Sequence, residues 1–486
     1  PAEVLIVTAL ACHIRGMKRF GLLLAIGAMF VHPLIALPGL ILLIFLWLPN
    51  GMAIMAAIAG VLATLGIAGA AVLLPTASHV LTVMDTSWLA VVKERSQFLF
   101  LQLWSIHDWE VNARPFIYLA FTAIAVPDER IVKLCKIAAL VGAAGLAVAF
   151  IGSLIGPVAI LVQGQAWRWV WICVFVSAVL FPITALKTWR DDKCGPLCTM
   201  LLVSGWTLSA VNGSACVSLA LVLWLTRKNI GARAAPYFRW ASVALGIAVV
   251  AWILAKSWAI VFCPTPPSGQ APLIATQIRD IFGLRVSAAL AGALVWWWLR
   301  SSRTAWVPTF LCVLLIALSI FVLPAAFKQS RTLAAASDIN EFSDWANLIP
   351  PTSTVLVAPA QDVGAFVWFT LQRPNYLAMD QSAGVVFSRT TALEVQRRSQ
   401  VLQPLMNPDW KILTSLRAAS GAKRKDDATR PLTAKSLIQV CADPLLGFVI
   451  SPQNVGYDPL RHEQAGAWKD WNLYDCRKVR QTTPST

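Results

Sequence analysis

The sequence predicts a polytopic α-helical membrane protein of about 10–12 helical segments, followed by a C-terminal soluble α/β domain. The chain is 57% hydrophobic and only 13% charged, whereas soluble domains carry about 25% charged residues. This shortfall lies in residues 1–327, where apolar runs such as 52–74 approach the roughly 20 residues that cross a bilayer. Lysine and arginine collect in short loops between these runs, which is typical of membrane proteins.

The apolar runs are predicted to be helices, because a backbone inside hydrocarbon must satisfy its polar groups within the segment. We expect the transmembrane domain to be N-terminally incomplete, since its first apolar stretch, 4–12, is short and follows Pro1. The predicted segments are at about 2–13, 20–31, 34–48, 52–74, 115–126, 134–158, 168–186, 195–211, 214–226, 239–262, 284–299 and 304–326.

The basic loops predict the orientation of the chain. All of them can be cytoplasmic if the segments alternate, and this requires the chain to turn at His32-Pro33. Loop 75–114 and residues 328–486 then face outward. We therefore predict a multi-pass protein of the bacterial inner membrane with a periplasmic C-terminal domain. The basic loops are 15–19, 130–136, 187–193, 227–239 and 300–303.

Residues 328–486 have the composition of a soluble domain. Strands alternating with helices predict a small α/β domain. Cys441 and Cys476 are the only cysteines of this domain, and an oxidising compartment would pair them. Strands are predicted at 354–358, 366–371, 447–451 and 471–476, and helices at 342–348, 390–402 and 435–441.

The outward face carries the candidate site residues. Loop 75–114 mixes charges with aromatic residues, and we expect helices that lie along the membrane surface. An enzyme acting on a lipid-linked phosphate needs cations for the phosphate and a carboxylate for proton abstraction. The simpler reading is that these charges pair with each other and with headgroups. The candidate bases are Asp85, Glu94, Asp108 and Glu110, and the candidate binding residues are His32, Arg95, Arg114, Gln163, Gln165 and Arg168.

These candidates lead to one geometric expectation. His32, Arg95 and Arg168 should converge on a cavity that opens outward and to lipid, because the topology brings all three to one membrane level. Arg168 stands between Trp167 and Trp169, which hold it at the interface.

Missing motifs argue against an ATP-driven pump, a dinucleotide-binding enzyme, a zinc protease and a serine hydrolase. The sequence has no Walker loop, no GxGxxG after a strand, no HExxH and no GxSxG. The net charge of +16 comes mostly from the basic loops, so we predict no nucleic-acid partner. No metal-ligand set and no cofactor motif stands out, although a divalent metal is compatible with the chemistry.

Four stretches resemble a family of uncharacterised bacterial polytopic membrane proteins with the architecture of the C-type, lipid-linked-sugar membrane glycosyltransferases. They are HPLIALPG at 32–39, KERSQFLFLQLW at 93–104, QGQAWRW at 163–169 and W-x-x-x-IPP-x-x-x-VLVAP at 345–359. The resemblance implies a membrane transferase that uses a polyprenyl-phosphate-linked sugar at the outward face.

Other functions fit the same sequence. A glycan polymerase or ligase would also use outward arginines and acids. A noncatalytic assembly or scaffold subunit would bind a protein partner through residues 328–486. Internal sequence symmetry between the two halves of the chain would favour a transporter, and the sequence shows no such symmetry. In every case membrane lipids are partners.

Overall fold

The computed structural model describes residues 2–73, 81–155, 157–207, 210–262, 342–358, 366–407, 413, 430–463 and 470–482. Contacts divide the chain into two units. Unit 1, the helical unit, comprises residues 1–77, 101–156 and 160–316, and unit 2 comprises 78–100, 157–159 and 317–486. The predicted segments 284–299 and 304–326 and the basic loop 300–303 lie outside the described residues.

Unit 1 is built from helices in the described part of the chain. By length and composition, four helical stretches there could each cross a membrane: Asn50–Leu73, Glu129–Leu154, Ala159–Trp189 and Ala235–Trp252. Its helices are α1 (Ala2–Ile14), α2 (Lys18–Val31), α3 (Pro33–Trp47), α4 (Asn50–Leu73), α6 (Ile106–Ala125), α7 (Glu129–Leu154), α8 (Ala159–Gln163), α9 (Val170–Trp189), α10 (Gly195–Thr207), α11 (Ala210–Thr226) and α12 (Ala235–Phe262).

The predicted turn at His32-Pro33 is confirmed. His32 has an extended backbone (φ −159°, ψ 92°), and Pro33 occupies the first position of α3, where its missing N–H costs nothing. A Cβ at Gly21 would lie 2.6 Å from the Ala9 carbonyl oxygen, so α2 packs tightly on α1. The Trp47 indole donates to His13 Nδ1 at 2.9 Å. Helix α3 therefore returns to the end of the unit from which α2 started.

Basic loops meet at one end of unit 1. The Lys133 ammonium donates to the Leu48 carbonyl just after α3, at 2.9 Å. Lys133 also lines one cavity with Lys18 and with Ile183 of α9. The Lys193 ammonium donates to the Arg227 carbonyl at 3.5 Å. These contacts bring the described loops around residues 15–19, 130–136, 187–193 and 227–228 to one end, which we call the basic end.

Unit 2 contains a four-stranded sheet in the order β1-β2-β4-β3. β1 pairs parallel with β2, whereas β4 pairs antiparallel with both β2 and β3. Aromatic side chains of Phe342, Trp345 and Phe448 fill its core. The elements are α5 (Thr86–Arg95), α13 (Ser343–Leu348), β1 (Val355–Val357), α14 (Met379–Ser382), α15 (Arg389–Val401), α16 (Ala434–Cys441), β2 (Phe448–Ser451), β3 (Arg461–His462), β4 (Asn472–Asp475) and α17 (Cys476–Thr482).

One predicted strand is wrong. Residues Phe366–Thr370 form a single π-helical turn instead of a strand. The turn buries Phe366, Val367 and Thr370 together, whereas a strand would direct neighbouring side chains to opposite faces. The Phe366 ring packs edge-on against Phe342 at 5.0 Å, so the turn places this ring in the aromatic core.

The loop predicted at 75–114 divides between the two units. Its last nine residues belong to α6, which starts at Ile106. Helix α5 belongs to unit 2, where the Trp88 indole donates to the Val385 carbonyl at 2.7 Å. The Trp88 side chain is buried by protein in this unit.

Cys441 and Cys476 form a disulfide with their Cα atoms 5.0 Å apart. The bond joins the end of α16 to the start of α17. Arg480 of α17 donates to the Cys441 carbonyl at 2.6 Å, so a hydrogen bond connects the same two helices as the disulfide.

Candidate functional site

Three tryptophans and one arginine come together in unit 1 from separate parts of the sequence. The Trp104 ring lies 5.1 Å from Trp109 and 6.0 Å from Trp167, both in edge-on contact. The Arg168 guanidinium lies over the Trp167 ring at 5.4 Å. Its Nε donates to Gln165 Oε1 at 2.7 Å. We call these five residues the aromatic–arginine cluster.

The local backbone explains how this cluster forms. Gln165 has a positive φ of 47°, so the chain turns sharply between α8 and the 3₁₀ turn Ala166–Trp169. A Cβ at Gly145 would lie 2.6 Å from the Ala166 carbonyl, so a glycine in α7 lets this turn approach closely. The sequence QGQAWRW thus presents Arg168 and Trp167 side by side.

The cluster has a covered side and an open side. Trp104 is 9% exposed, whereas Trp109 is 43% exposed. Arg168 and Gln163 are half-buried. A forked guanidinium matches the oxygens of a phosphate, and indole rings provide flat apolar surface with one donor each. The arrangement can therefore hold an amphipathic ligand that carries a phosphate.

A second polar group lies further along α6. Ser105 and Asp108 form a capping box that begins the helix. Glu110 Oε1 accepts the Ser214 N–H at 2.9 Å, and Arg114 donates to the Gly205 carbonyl at 2.9 Å. These bonds tie α6 to α11 and α10.

Glu110 differs from the other candidate acids. Its Oε2 atom is buried and has no hydrogen-bond partner among the residues that the structure describes. A buried carboxylate oxygen without a partner is costly, and such groups are often functional. Trp109, the preceding residue in α6, belongs to the aromatic–arginine cluster, whereas the Glu110 carboxylate contacts Ser214 of α11.

A small cavity lies beside Arg114. Its volume is about 50 Å³, and it is lined by Tyr118, Ser177 and Trp206 among others. Pockets for small organic ligands measure about 300–1,000 Å³. Arg114 lies where α6 meets α10 and α11, and its predicted phosphate-binding role stays a prediction.

His32 lies at the same end of unit 1 as Arg168. The Trp171 indole donates to the Ile35 carbonyl at 3.2 Å, which joins the start of α9 to the start of α3. His32 directly precedes α3 and is exposed. Since α3 ends at the basic end, this shared level is the opposite end of the unit.

The remaining candidates belong to unit 2 or to a helix cap. Asp85 caps α5 through the N–H groups of Ser87 and Trp88, and it pairs with Arg389. The hydrogen bond from Arg389 is the main reason why the pKa of Asp85 is lowered. Glu94 is half-buried in the same helix.

Arg95 is only 7% exposed and donates to Ser382 Oγ at 2.6 Å. It therefore serves the packing of unit 2, whereas His32 and Arg168 share an end of unit 1. The convergence of all three on one cavity stays a prediction.

Sequence reasoning missed several residues of these sites. Ser382 and Arg389 hold α5 from about 300 positions away in the chain. Ser214 was not predicted as the partner of Glu110. No local pattern signals such contacts.

The described residues contain no group of three or more His, Cys, Asp or Glu side chains that could hold a metal ion. The aromatic–arginine cluster offers a guanidinium, three indoles and an amide. No family model, curated protein or solved structure matches this chain.

Proposed function

We propose that this chain is a glycosyltransferase-like protein of the bacterial inner membrane that acts on a polyprenyl-phosphate-linked sugar. The observation that carries the proposal is the aromatic–arginine cluster. Arg168 is oriented by Gln165 and stacked on Trp167, within a group of tryptophans that is exposed at Trp109. The guanidinium matches a phosphate, and the flat apolar surface of the indole rings suits a sugar ring and an isoprenoid chain.

The proposed reaction uses few groups. Arg168 binds the phosphate that links the sugar to the lipid, and it stabilises the negative charge that develops as this phosphate leaves. Glu110 takes the proton of an acceptor hydroxyl. The acceptor oxygen bonds to the anomeric carbon, the bond from that carbon to the phosphate oxygen breaks, and the lipid phosphate departs.

Two observations support the outward side as the location. The basic loops meet at the other end of unit 1, and basic loops favour the cytoplasmic side. The Cys441–Cys476 disulfide favours an oxidising compartment for unit 2.

A second candidate is a noncatalytic subunit that binds the same lipid or a protein partner. It is favoured by the structural roles of two candidate bases, since Asp85 caps α5 and Asp108 caps α6. Glu110 therefore distinguishes an enzyme from a binding subunit. A glycan polymerase or ligase would share the transferase chemistry at the cluster.

The test compares Arg168→Ala and Glu110→Gln in the full chain, reconstituted with a radiolabelled polyprenyl-phosphate hexose. We expect Arg168→Ala to weaken binding at least about tenfold, because hydrogen bonds to charged groups contribute about 1.5–3 kcal/mol. Glu110→Gln should keep binding and lower transfer about 10²–10⁴-fold.

Arg190→Ala is the matched control, since Arg190 is exposed at the opposite end of α9. Unchanged binding in Arg168→Ala would contradict the proposed site. Normal binding without measurable transfer in the native protein would favour the noncatalytic subunit.

A further inference from the structure

The basic end of unit 1 contains a larger cavity than the one beside Arg114. Its volume is about 580 Å³. Leucine and isoleucine side chains of α1, α3, α7 and α9 form its apolar lining, and its polar lining consists of His13, Lys18, Asp128, Arg130 and Lys133. The volume falls within the range of about 300–1,000 Å³ that is usual for small-ligand sites.

The charges around this cavity are unbalanced. Three cations, Lys18, Arg130 and Lys133, face a single acid, Asp128. Asp128 Oδ1 already accepts the N–H groups of Arg130 and Ile131, at 2.9 and 3.1 Å, as the cap of α7. The lining therefore carries a positive excess, which an anion would neutralise.

Two of the polar groups are held in place by the end of α3. Trp47 donates to His13 Nδ1, so a neutral His13 carries its proton on Nε2 and can donate from there. Lys133 donates one N–H to the Leu48 carbonyl at 2.9 Å, which leaves two donors on this ammonium. The cavity thus combines anchored donors with the exposed cations Lys18 and Arg130.

We propose that this cavity binds the headgroup phosphate of an anionic phospholipid, with an acyl chain along the leucine and isoleucine lining. Basic groups that meet apolar helix surface at one membrane interface fit such a lipid better than a fully water-soluble anion. The site is separate from the aromatic–arginine cluster, because α3 and α9 run between the two ends. It does not depend on the proposed function.

The test measures lipid binding to the full chain, purified in detergent and delipidated. Thermal unfolding is followed with added phosphatidylglycerol, phosphatidylcholine or inorganic phosphate. We expect saturable stabilisation by phosphatidylglycerol alone. The double variant Lys18→Gln/Arg130→Gln should need at least about tenfold more of this lipid, since each basic residue contributes about 1 kcal/mol towards anionic lipid.

Lys136→Gln is the matched control, because Lys136 is exposed near the start of α7 but does not line the cavity. Equal stabilisation by phosphatidylcholine would overturn the proposal, and so would an equal loss in Lys136→Gln. Stabilisation by inorganic phosphate at similar concentrations would show that the cavity binds a free anion, and it would also overturn the proposal. The comparison of lipids on the native protein decides the question even if the double variant does not fold.

Discussion

Glu394, Arg397 and Asp443 form a charged network in unit 2. Arg397 donates to Glu394 at 2.8 Å and to Asp443 at 2.6 Å. The Tyr376 hydroxyl also donates to Asp443, at 2.5 Å. The hydrogen bond from Arg397 is the main cause that lowers the pKa of Glu394 to about 2. Burial alone would raise the pKa of Asp443, but hydrogen bonds from Tyr376 and Arg397 hold it below its ordinary value.

These lowered pKa values predict how acid destabilises unit 2. The folded pKa of Glu394 lies below its ordinary value of 4.5, so its contribution to stability is complete above about 4.5 and is lost as the pH falls through about 2. We expect the melting temperature of the purified chain to fall as the pH drops from about 4.5 to about 2. The fall should be smaller in Arg397→Gln, because that variant has already lost the ion pairs of Arg397 with Glu394 and Asp443.

Arg477→Gln is the control for this prediction, since Arg477 makes a longer contact of 3.6 Å with Asp475. It should show the same acid dependence as the native chain. If Arg397→Gln loses as much stability in acid as the native chain, the network does not cause the pH dependence.

Two arginines show how far single residues could be predicted from the sequence. The partners of Arg168 are Gln165 and Trp167, within three positions, so the QGQAWRW stretch already indicated their arrangement. The partner of Arg95 is Ser382, 287 positions away. A phosphate-binding role was predicted for both, yet only tertiary contacts could reveal that Arg95 holds α5 in unit 2.

At the scale of elements, the disulfide links α16 to α17 across a separation of 35 residues. Replacing both Cys441 and Cys476 by serine should lower the free energy of unfolding of unit 2 by about 3–4 kcal/mol, because the unfolded chain regains loop entropy. Denaturant unfolding of the full chain without reductant measures this loss. Reduction of the native protein should reproduce it.

Cys216→Ser is the control for the disulfide prediction, since Cys216 is a free thiol in α11. Its replacement should leave the unfolding of unit 2 unchanged. A double serine variant as stable as the native chain would show that the disulfide adds no stability.

Several elements of unit 2 were predictable from local patterns. β1, β2 and β4 are confirmed, and β1 and β2 are short apolar runs next to turn residues. The run FVWFT at 366–370 was misassigned, since a short apolar run fits either a strand or a buried helical turn.

The start of α6 was also missed, for a different reason. Its first turns, IHDWEVNAR, are polar and do not resemble a membrane span. A signal was nevertheless present, because Ser105 and Asp108 have the spacing of a capping box. The prediction from hydropathy therefore began this helix nine residues too late. It assigned Glu110 and Arg114 to the loop instead of the helix.

The helical unit has two ends with different chemistry. The basic end gathers lysines and arginines around a cavity of about 580 Å³. The other end carries the aromatic–arginine cluster and the exposed His32. Helix α3 connects them, since its start contacts Trp171 and its end contacts Lys133. We propose that the lipid-linked sugar binds at the aromatic end and an anionic phospholipid at the basic end.

The most direct test of this account is photo-crosslinking of the reconstituted full chain with a photoreactive polyprenyl-phosphate sugar. The crosslinked peptides are then identified by mass spectrometry. We predict saturable labelling of peptides that contain Trp109 or Trp167, suppressed by unlabelled polyprenyl-phosphate sugar and lost in Arg168→Ala but retained in Arg190→Ala. Labelling confined to peptides of the basic end, or labelling that the unlabelled compound does not suppress, would contradict the central claim.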